Sequence, residues 1–444
     1  MIFKFVKYQL LTLLLMLSGL SYAQNKIDYN QLKLSKAIEI GFQNNKKLQI
    51  SALKTNIAEL KEKDLKNEKL PDVDFHTGFH VLSNLRQYED GGFLKPSTKY
   101  VVPRMKYDFT LSAEIPIYLG GKLKNDEKKS EIETNISKLQ VRKDERELRM
   151  QIITAYLQAL HLQEQQMLIS DKMREDSVVI KQTESLKKNG LVTYNEVLRT
   201  ELQLSNHKMS FTELENEISI IEHQIKTILA LPENQEMHID TNDLFTNEEY
   251  LGLVDEMILE AMDQNESLKI AKDDLNLKEI DKKNTRANTL PKITAGAEYG
   301  YNYPNFMFFP PEEYLNRNGM IGVNVSIPLS NFFKNKQKMQ IADRNISIAK
   351  LEIEEEEEQI RHDVFAANKR LEESIEKIKI AEEAIGQAKE NYRIVRTKYV
   401  NKLSLITELI DADNAYLEAQ SNLISLQINK QLKYYQLQYV LGNL

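Results

Sequence analysis

Few residues in this chain have the type and spacing to do covalent chemistry. His76 and His80 fall on one face of an alternating segment, while His161, His207, His223, His238 and His362 are scattered. None stands in a zinc-finger or metalloprotease pattern, so all seven are read as solvated side chains rather than ligands. The methionines are dispersed and there is no cysteine, which leaves no support for a copper path and excludes thiol chemistry and disulfides. There is no nucleophile elbow, no pair of catalytic acids and no cofactor motif. An enzyme is therefore not expected, nor any metal or cofactor. What remains is charge. Glu408 and Asp411 lie three apart and share one face of a helix. Acids near a helix N-terminus are favoured by the macrodipole anyway, by ~0.3–1 kcal/mol each. Thr193-Tyr194-Asn195-Glu196 reads as a capping box that starts a helix. The run Glu354–Glu358 wraps around a helix and is read as solvated surface.

The elements that hold these residues are written twice. LKLSKAIEIGFQNNKKLQIS, running on to Leu70-Pro71, returns as LVDEMILEAMDQNESLKIA, running on to Leu290-Pro291. Asn45/Asn265, Leu48/Leu268 and Ile50/Ile270 keep one register, 220 residues apart. Past a variable insert the shift becomes 212, matching Ile115-Pro116 with Ile327-Pro328, Leu191 with Leu403 and Glu196 with Glu408. Such a duplication predicts two copies of one structural unit. The first repeat spans 24–231, with a helix over 34–69, hairpin strands within 72–118, a long helix over 122–189 and a helix over 191–230. The second spans 253–444, with a helix over 253–289, strands within 292–328, a long helix over 334–400 and a helix over 403–441. A polar connector, 232–252, joins them.

The start, MIFKFVKYQLLTLLLMLSGLSYAQ, reads as a secretory signal peptide over 1–23, cleaved after Ala23. Its removal takes two lysines and no acid, moving the net charge from −7 to −9. No cysteine follows that could carry a lipid anchor, and nothing resembles a nucleic-acid footprint. The mature chain has no helical run of eighteen apolar residues, so any membrane crossing must use strands.

The strands are present in the pattern. Val73, Phe75, Phe79 and Val81 alternate with Asp72, Asp74, His76, Gly78 and His80. Met105 to Ile115, Ile293 to Tyr301 and Ile321 to Ile327 alternate in the same way. One face is apolar and the other polar over roughly nine to eleven residues, the span of a tilted membrane strand. A half-buried soluble hairpin shows the same alternation. Four such strands, an export signal and aromatic-rich ends (Tyr88, Tyr100, Tyr301, Tyr303, Phe306, Phe308, Phe309) favour the membrane.

Between Lys122 and Asn189 there is neither Gly nor Pro over about 68 residues, which as one helix extends ~100 Å. Two shorter helices end to end come to ~110 Å, so each long helix is expected to pair with a stacked couple. Four strands cannot close in lipid without stranding backbone polar groups. Three chains give twelve strands. Two chains give eight, and the lumen of an eight-stranded barrel fills with side chains.

Over essentially the whole mature chain, the sequence resembles the TolC-type outer-membrane efflux channel family, the outer membrane factors. The resemblance lies in the two helix–Leu-Pro–strand junctions at Pro71 and Pro291, and in the Ile-Pro strand–helix junctions EIPIYLGGK (Pro116) and SIPLSNFFK (Pro328). It extends to the turns KNGLVTYNEVLRTE and KYVNKLSLITELIDADNAYLEAQ. It implies a mostly α fold with membrane β: duplicated helix–β-hairpin–long helix–helix units. As a homotrimer these make a 12-stranded outer-membrane β-barrel on a long periplasmic α-helical barrel. It further implies a passive channel in outer-membrane lipid, served by a periplasmic adaptor (membrane fusion protein) and an inner-membrane pump of the RND or ABC type. Tyr399, Glu408 and Asp411 would then line the periplasmic gate. Glu196 and Ser404 are candidates for gate or cap, Ser404 standing where a well-studied closed gate has Arg. Gly190, Leu191, Val192, Asn401, Leu403 and Leu405 would meet the adaptor. Asn401-Lys402 stands where many relatives carry Val-Gly. The rival is a periplasmic coiled-coil adaptor without a barrel of its own, which would need no membrane-length strands.

Overall fold

The computed structural model describes residues 32–235, 237–240, 252–309 and 311–444. The expected signal peptide, 1–23, lies outside the described residues, as do residue 236 and residues 241–251 of the expected connector. The first repeat runs α1 (Leu34–Asn44), α2 (Lys46–Asn67), β1 (Asp72–Val81), β2 (Leu85–Tyr88), β3 (Ser97–Tyr100), β4 (Met105–Leu119), α3 (Lys122–Lys188) and α4 (Tyr194–Ile228). The second runs α5 (Val254–Gln264), α6 (Glu266–Ala287), β5 (Lys292–Tyr303), β6 (Asn316–Ser326), the single turn α7 (Asn331–Lys334), α8 (Lys336–Val400) and α9 (Ile406–Leu441).

Several details differ from the sequence reading. The helices expected over 34–69 and 253–289 are each two helices, broken at Asn45 and Asn265. Both asparagines leave the helical region, at φ −64, ψ 122 and φ −61, ψ 118. Each still donates its backbone N–H to a carbonyl four residues back, Gly41 or Ala261, and so closes the helix before it. Asn265 also opens the next, its Oδ1 accepting the Leu268 N–H at 2.9 Å. The long helix expected from 334 begins instead at Lys336, after α7 and Asn335. The insert between β1 and β4 carries its own two-stranded ribbon, β2 against β3.

The main sheet is antiparallel in the order β1-β4-β5-β6. Phe75 lies opposite Leu111, which lies opposite Tyr299; one step along, Asp74, Ser112 and Glu298 align on the other face. Alternation thus sorts into a mainly apolar and a mainly polar face across the four strands, with Met320 on the polar side and Thr77 and Arg317 on the apolar side. Phe75, Phe79, Ile321 and Val323 are each more than 60 % exposed, so nothing among the described residues covers the apolar face. Pro116 does not end its strand. It sits inside β4, a central strand, at a register shift before Tyr118, and the bulge tolerates a residue with no N–H to give.

The chain divides into two compact units, each drawing on both repeats. Of the described residues, the first holds 32–45, 148–235, 237–240 and 370–436. Its core packs Ile152, Tyr156 and Leu160 of α3 with Ile221 and Ile225 of α4, all about fully buried. An added Cβ at Gly41 would lie 2.5 Å from the Ile152 Cδ1, so that side chain would have to shift to admit any larger residue. The second unit holds 46–147, 252–369 and 437–444. Ion pairs order its helical segments: Lys138 with Glu59 joins α2 to α3, Lys129 with Asp281 joins α3 to α6, and Lys282 with Asp343 joins α6 to α8. The layer α2-α3-α6-α8 therefore repeats the strand order, with α2 beside edge strand β1 in the chain and α8 beside edge strand β6.

Candidate functional site

The residues singled out in the turns come together in the first unit, where α3 returns as α4 and α8 returns as α9. The two turns are built alike. The Gly190 N–H bonds the Lys187 carbonyl and the Leu191 N–H the Leu186 carbonyl, while Lys402 and Leu403 do the same with Tyr399 and Lys398. That paired pattern is a Schellman close, which places its penultimate residue in the left-handed region. Gly190 takes it at φ 71, but in the second turn Lys402 takes it at φ 63, rather than Asn401. Asn189 and Asn401 instead donate their side-chain amides to the carbonyls four residues back, Ser185 and Thr397. Leu191 is 45 % exposed, and Leu403 and Leu405 are 77 % and 68 % exposed; Val192 is half-buried. Three apolar side chains thus face outward at the turns.

Glu196 does two things. One oxygen accepts the Thr193 backbone N–H at 3.4 Å, completing the capping box of α4. The other accepts from the Tyr399 hydroxyl at 3.4 Å, tying the end of α8 to the start of α4. Burial raises the Tyr399 phenol above its ordinary value; the Thr183 hydroxyl opposes the shift and the Glu196 carboxylate adds to it. Ser404 donates to the Glu408 carboxylate one helical turn on. Glu408 and Asp411 are both exposed. Pro71 and Pro291 immediately precede β1 and β5, and Pro328 follows the end of β6.

Above the turns lies a buried polar network that the sequence reading missed. Lys172 on α3 donates to Asp413 on α9 at 2.7 Å and to Glu175 at 2.8 Å. Its ammonium also lies 5.4 Å from the ring centres of both Tyr392 and Tyr416. Burial alone would lower the Lys172 ammonium, yet the carboxylates of Asp413 and Glu175 hold it above its ordinary value. Burial pushes the Asp413 carboxyl up, against the pull of Lys172. A cavity of about 30 Å³ lies beside them, lined by Asp176, Thr200, Gln203, Tyr392 and Asp413. His207 is not solvated as expected. It is buried and bonded to Asp176 at 2.7 Å, because Asp176 on α3 faces it across the α3–α4 pair. His76 remains exposed, 3.7 Å from Asp108 on the polar strand face. Among the described residues no group of three or more His, Cys, Asp or Glu side chains could hold a metal. Among them too, no helix is long and apolar enough to cross a membrane.

The family model for outer membrane efflux protein matches residues 42–231 and 257–443, one stretch in each repeat. Solved structures share the fold at low identity. The outer-membrane channel OprN is 15 % identical with a TM-score of 0.77, covering 92 % of this chain and 90 % of its own. The outer membrane protein VceC from Vibrio cholerae is 15 % identical with a TM-score of 0.75, covering 92 % and 96 %. The open-state MtrE outer membrane channel of Neisseria gonorrhoeae is 16 % identical with a TM-score of 0.74, covering 92 % and 88 %. No curated protein matches the sequence.

Proposed function

This chain belongs to the outer membrane efflux protein family, and on that premise we propose that three copies build a passive export duct through the outer membrane. The sheet carries the reading. Its strands are 10 to 15 residues long, against the ~9–11 a tilted membrane strand needs. Among the described residues its apolar face is uncovered and its terminal strands β1 and β6 each have one edge without a strand partner. In lipid each unsatisfied backbone group costs several kcal/mol, so the sheet must close through other copies. Three copies give twelve strands, enough for a water-filled lumen. The apolar face then meets outer-membrane lipid, the polar face lines the lumen, and the helices extend into the periplasm. The adaptor reading is not favoured, because the match takes in both hairpins.

The helical turns form the periplasmic mouth. Tyr399 bonded to Glu196, and Glu408 braced by Ser404, hold the tip in a resting arrangement. Three copies of Glu408 and Asp411 put rings of carboxylate at the entrance, which draw cations in. The exposed side chains of Leu191, Leu403 and Leu405, with Gly190, Val192 and Asn401, meet a periplasmic adaptor coupled to an inner-membrane pump of the RND or ABC type. The energy for export comes from that pump, and the duct itself catalyses nothing.

Single-channel recording in a planar bilayer tests this. Replacing Glu408 and Asp411 with Ser is expected to raise conductance and weaken block by multivalent cations. Unchanged channel behaviour removes these residues from the mouth, and a protein that never forms a channel removes the duct itself.

A further inference from the structure

Where β6 gives way to α8, the chain holds two aromatic rings out of the protein. Leu329, Phe332 and Phe333 are each more than half exposed, directly after the exposed apolar row Ile321, Val323, Val325 and Ile327. The turn that carries the rings is fixed at both ends. The Asn331 side-chain amide donates to the Asn288 carbonyl at 2.8 Å, and the Asn335 amide to the Thr285 carbonyl at 2.6 Å. Asn335 is itself buried, so α7 is clamped against the end of α6. Three exposed lysines follow the rings, Lys334, Lys336 and Lys338, and there is no acid from Leu329 to Lys338. Helix stability does not call for them: cations at the start of a helix oppose its dipole, and the first turn of α8 has no acid to offset them. The duplication repeats the basic part alone. At the shift of 212, Lys334 and Lys336 match Lys122 and Lys124, also exposed at the start of α3, while Phe332-Phe333 matches Gly120-Gly121.

We infer that this junction binds anionic phospholipid of the periplasmic leaflet, with Phe332 and Phe333 entering the head-group layer and Lys334, Lys336 and Lys338 pairing with lipid phosphates. The inference rests on the outer-membrane placement proposed above, which puts the helix-side ends of the strands at that leaflet. Continuity identifies the occupant. The apolar row of β6, which meets lipid in that placement, runs straight on to the aromatic pair. Aromatic rings favour the boundary between hydrocarbon and water. Lysine stems lie along apolar surface while their ammonium groups reach the polar layer. A cluster of such cations prefers an anionic head group to a zwitterionic one. The two repeats therefore differ in what they offer: the first junction supplies charge alone, the second supplies charge and rings.

The chain has no tryptophan, so Phe333→Trp installs a single reporter in this surface. With the full-length protein in mixed vesicles, brominated lipid quenches a ring that lies in the bilayer interface. At equal mole fraction, brominated phosphatidylglycerol is expected to quench about fivefold more effectively than brominated phosphatidylcholine, the enrichment that one lysine's attraction to an anionic surface supplies. In about 1 M salt, where the screening length falls to ~3 Å, the preference should vanish while quenching by both lipids remains. Lys334→Gln, Lys336→Gln and Lys338→Gln in one chain should abolish the preference as well, and the three matching Arg replacements should keep it. Equal quenching by the two lipids at low salt, or a preference that survives the Gln replacements, overturns the lipid site while leaving the duct. A reporter quenched by neither lipid in vesicles where the protein conducts does the same and assigns the surface to a protein partner. A protein that neither conducts nor is quenched overturns both.

Discussion

Replacing Lys172 with Met should damage the first unit more than removing the carboxylate it binds. In the native protein Asp413 is held at 2.7 Å by Lys172, with Glu175 and Asp176 adding negative charge nearby. Breaking a buried ion pair from one side costs about 3–5 kcal/mol. The lower end applies here, because burial already raises the Asp413 carboxyl and lets it escape by taking a proton. The Lys172→Met variant is therefore expected to lose about 3 kcal/mol. Asp413→Leu should lose only about 1–2 kcal/mol, since Lys172 keeps Glu175. The double variant, with an apolar pair in place of the ionic one, should recover to within about 1 kcal/mol of the parent. Hydrogen exchange of α3 and α9 amides reads this directly, as roughly 100-fold faster local opening for the worst variant. The pH sign follows from Asp413. Its folded value rises further without Lys172, so the deficit is least below the ordinary aspartate range and grows as pH rises through the raised folded value. A Lys172→Met variant no worse than Asp413→Leu, or equally impaired at all pH, would refute the argument.

The turns offer a paired measurement. Lys402→Gly should stabilise by about 0.5–1 kcal/mol, as relief of left-handed backbone outweighs added unfolded freedom. Gly190→Ala should cost about 1 kcal/mol from backbone strain alone, because nothing lies within 4 Å of the new Cβ. Exchange rates at Leu403 and Leu191 check both, and shifts of the same sign would contradict the shared geometry. In the second unit, burial alone would raise Asp144, but hydrogen bonds from Ser51, Lys47 and Gln140 hold its carboxyl below the ordinary value. That stabilisation is full above the ordinary value and is lost as pH falls through the depressed one. Ser51→Ala should therefore move acid unfolding of the α2–α3 contact to higher pH, followed by circular dichroism; an unmoved midpoint counts against it. On the gate reading, Tyr399→Phe should raise open probability in bilayer recordings without loss of helix, whereas Glu196→Ala also loses a cap worth about 1 kcal/mol.

What could be read from the sequence was what repeats along it. Alternation of period two exposed the four long strands, and the absence of Gly and Pro exposed α3. The breaks at Asn45 and Asn265 were hidden because neither Pro nor Gly marks them. The signal was the asparagine pair itself, held in register while most neighbours changed. Strands β2 and β3 are too short for alternation to stand out. The Lys172–Asp413 and His207–Asp176 pairs are legible only in three dimensions: a polar residue on a helix looks solvated until its partner, far along the chain, is brought against it.

The layer in the second unit ends in two unlike edges, α2 with β1 on one side and α8 with β6 on the other. A ring assembled from such pieces is head-to-tail, so every member contributes two different half-joints. A lesion in either half spoils a link that a sound neighbour also needs. Co-expressed in equal amounts with the parent, a copy defective at either edge should behave as a dominant inhibitor, and for the three-copy duct proposed above it would leave roughly one ring in eight free of it.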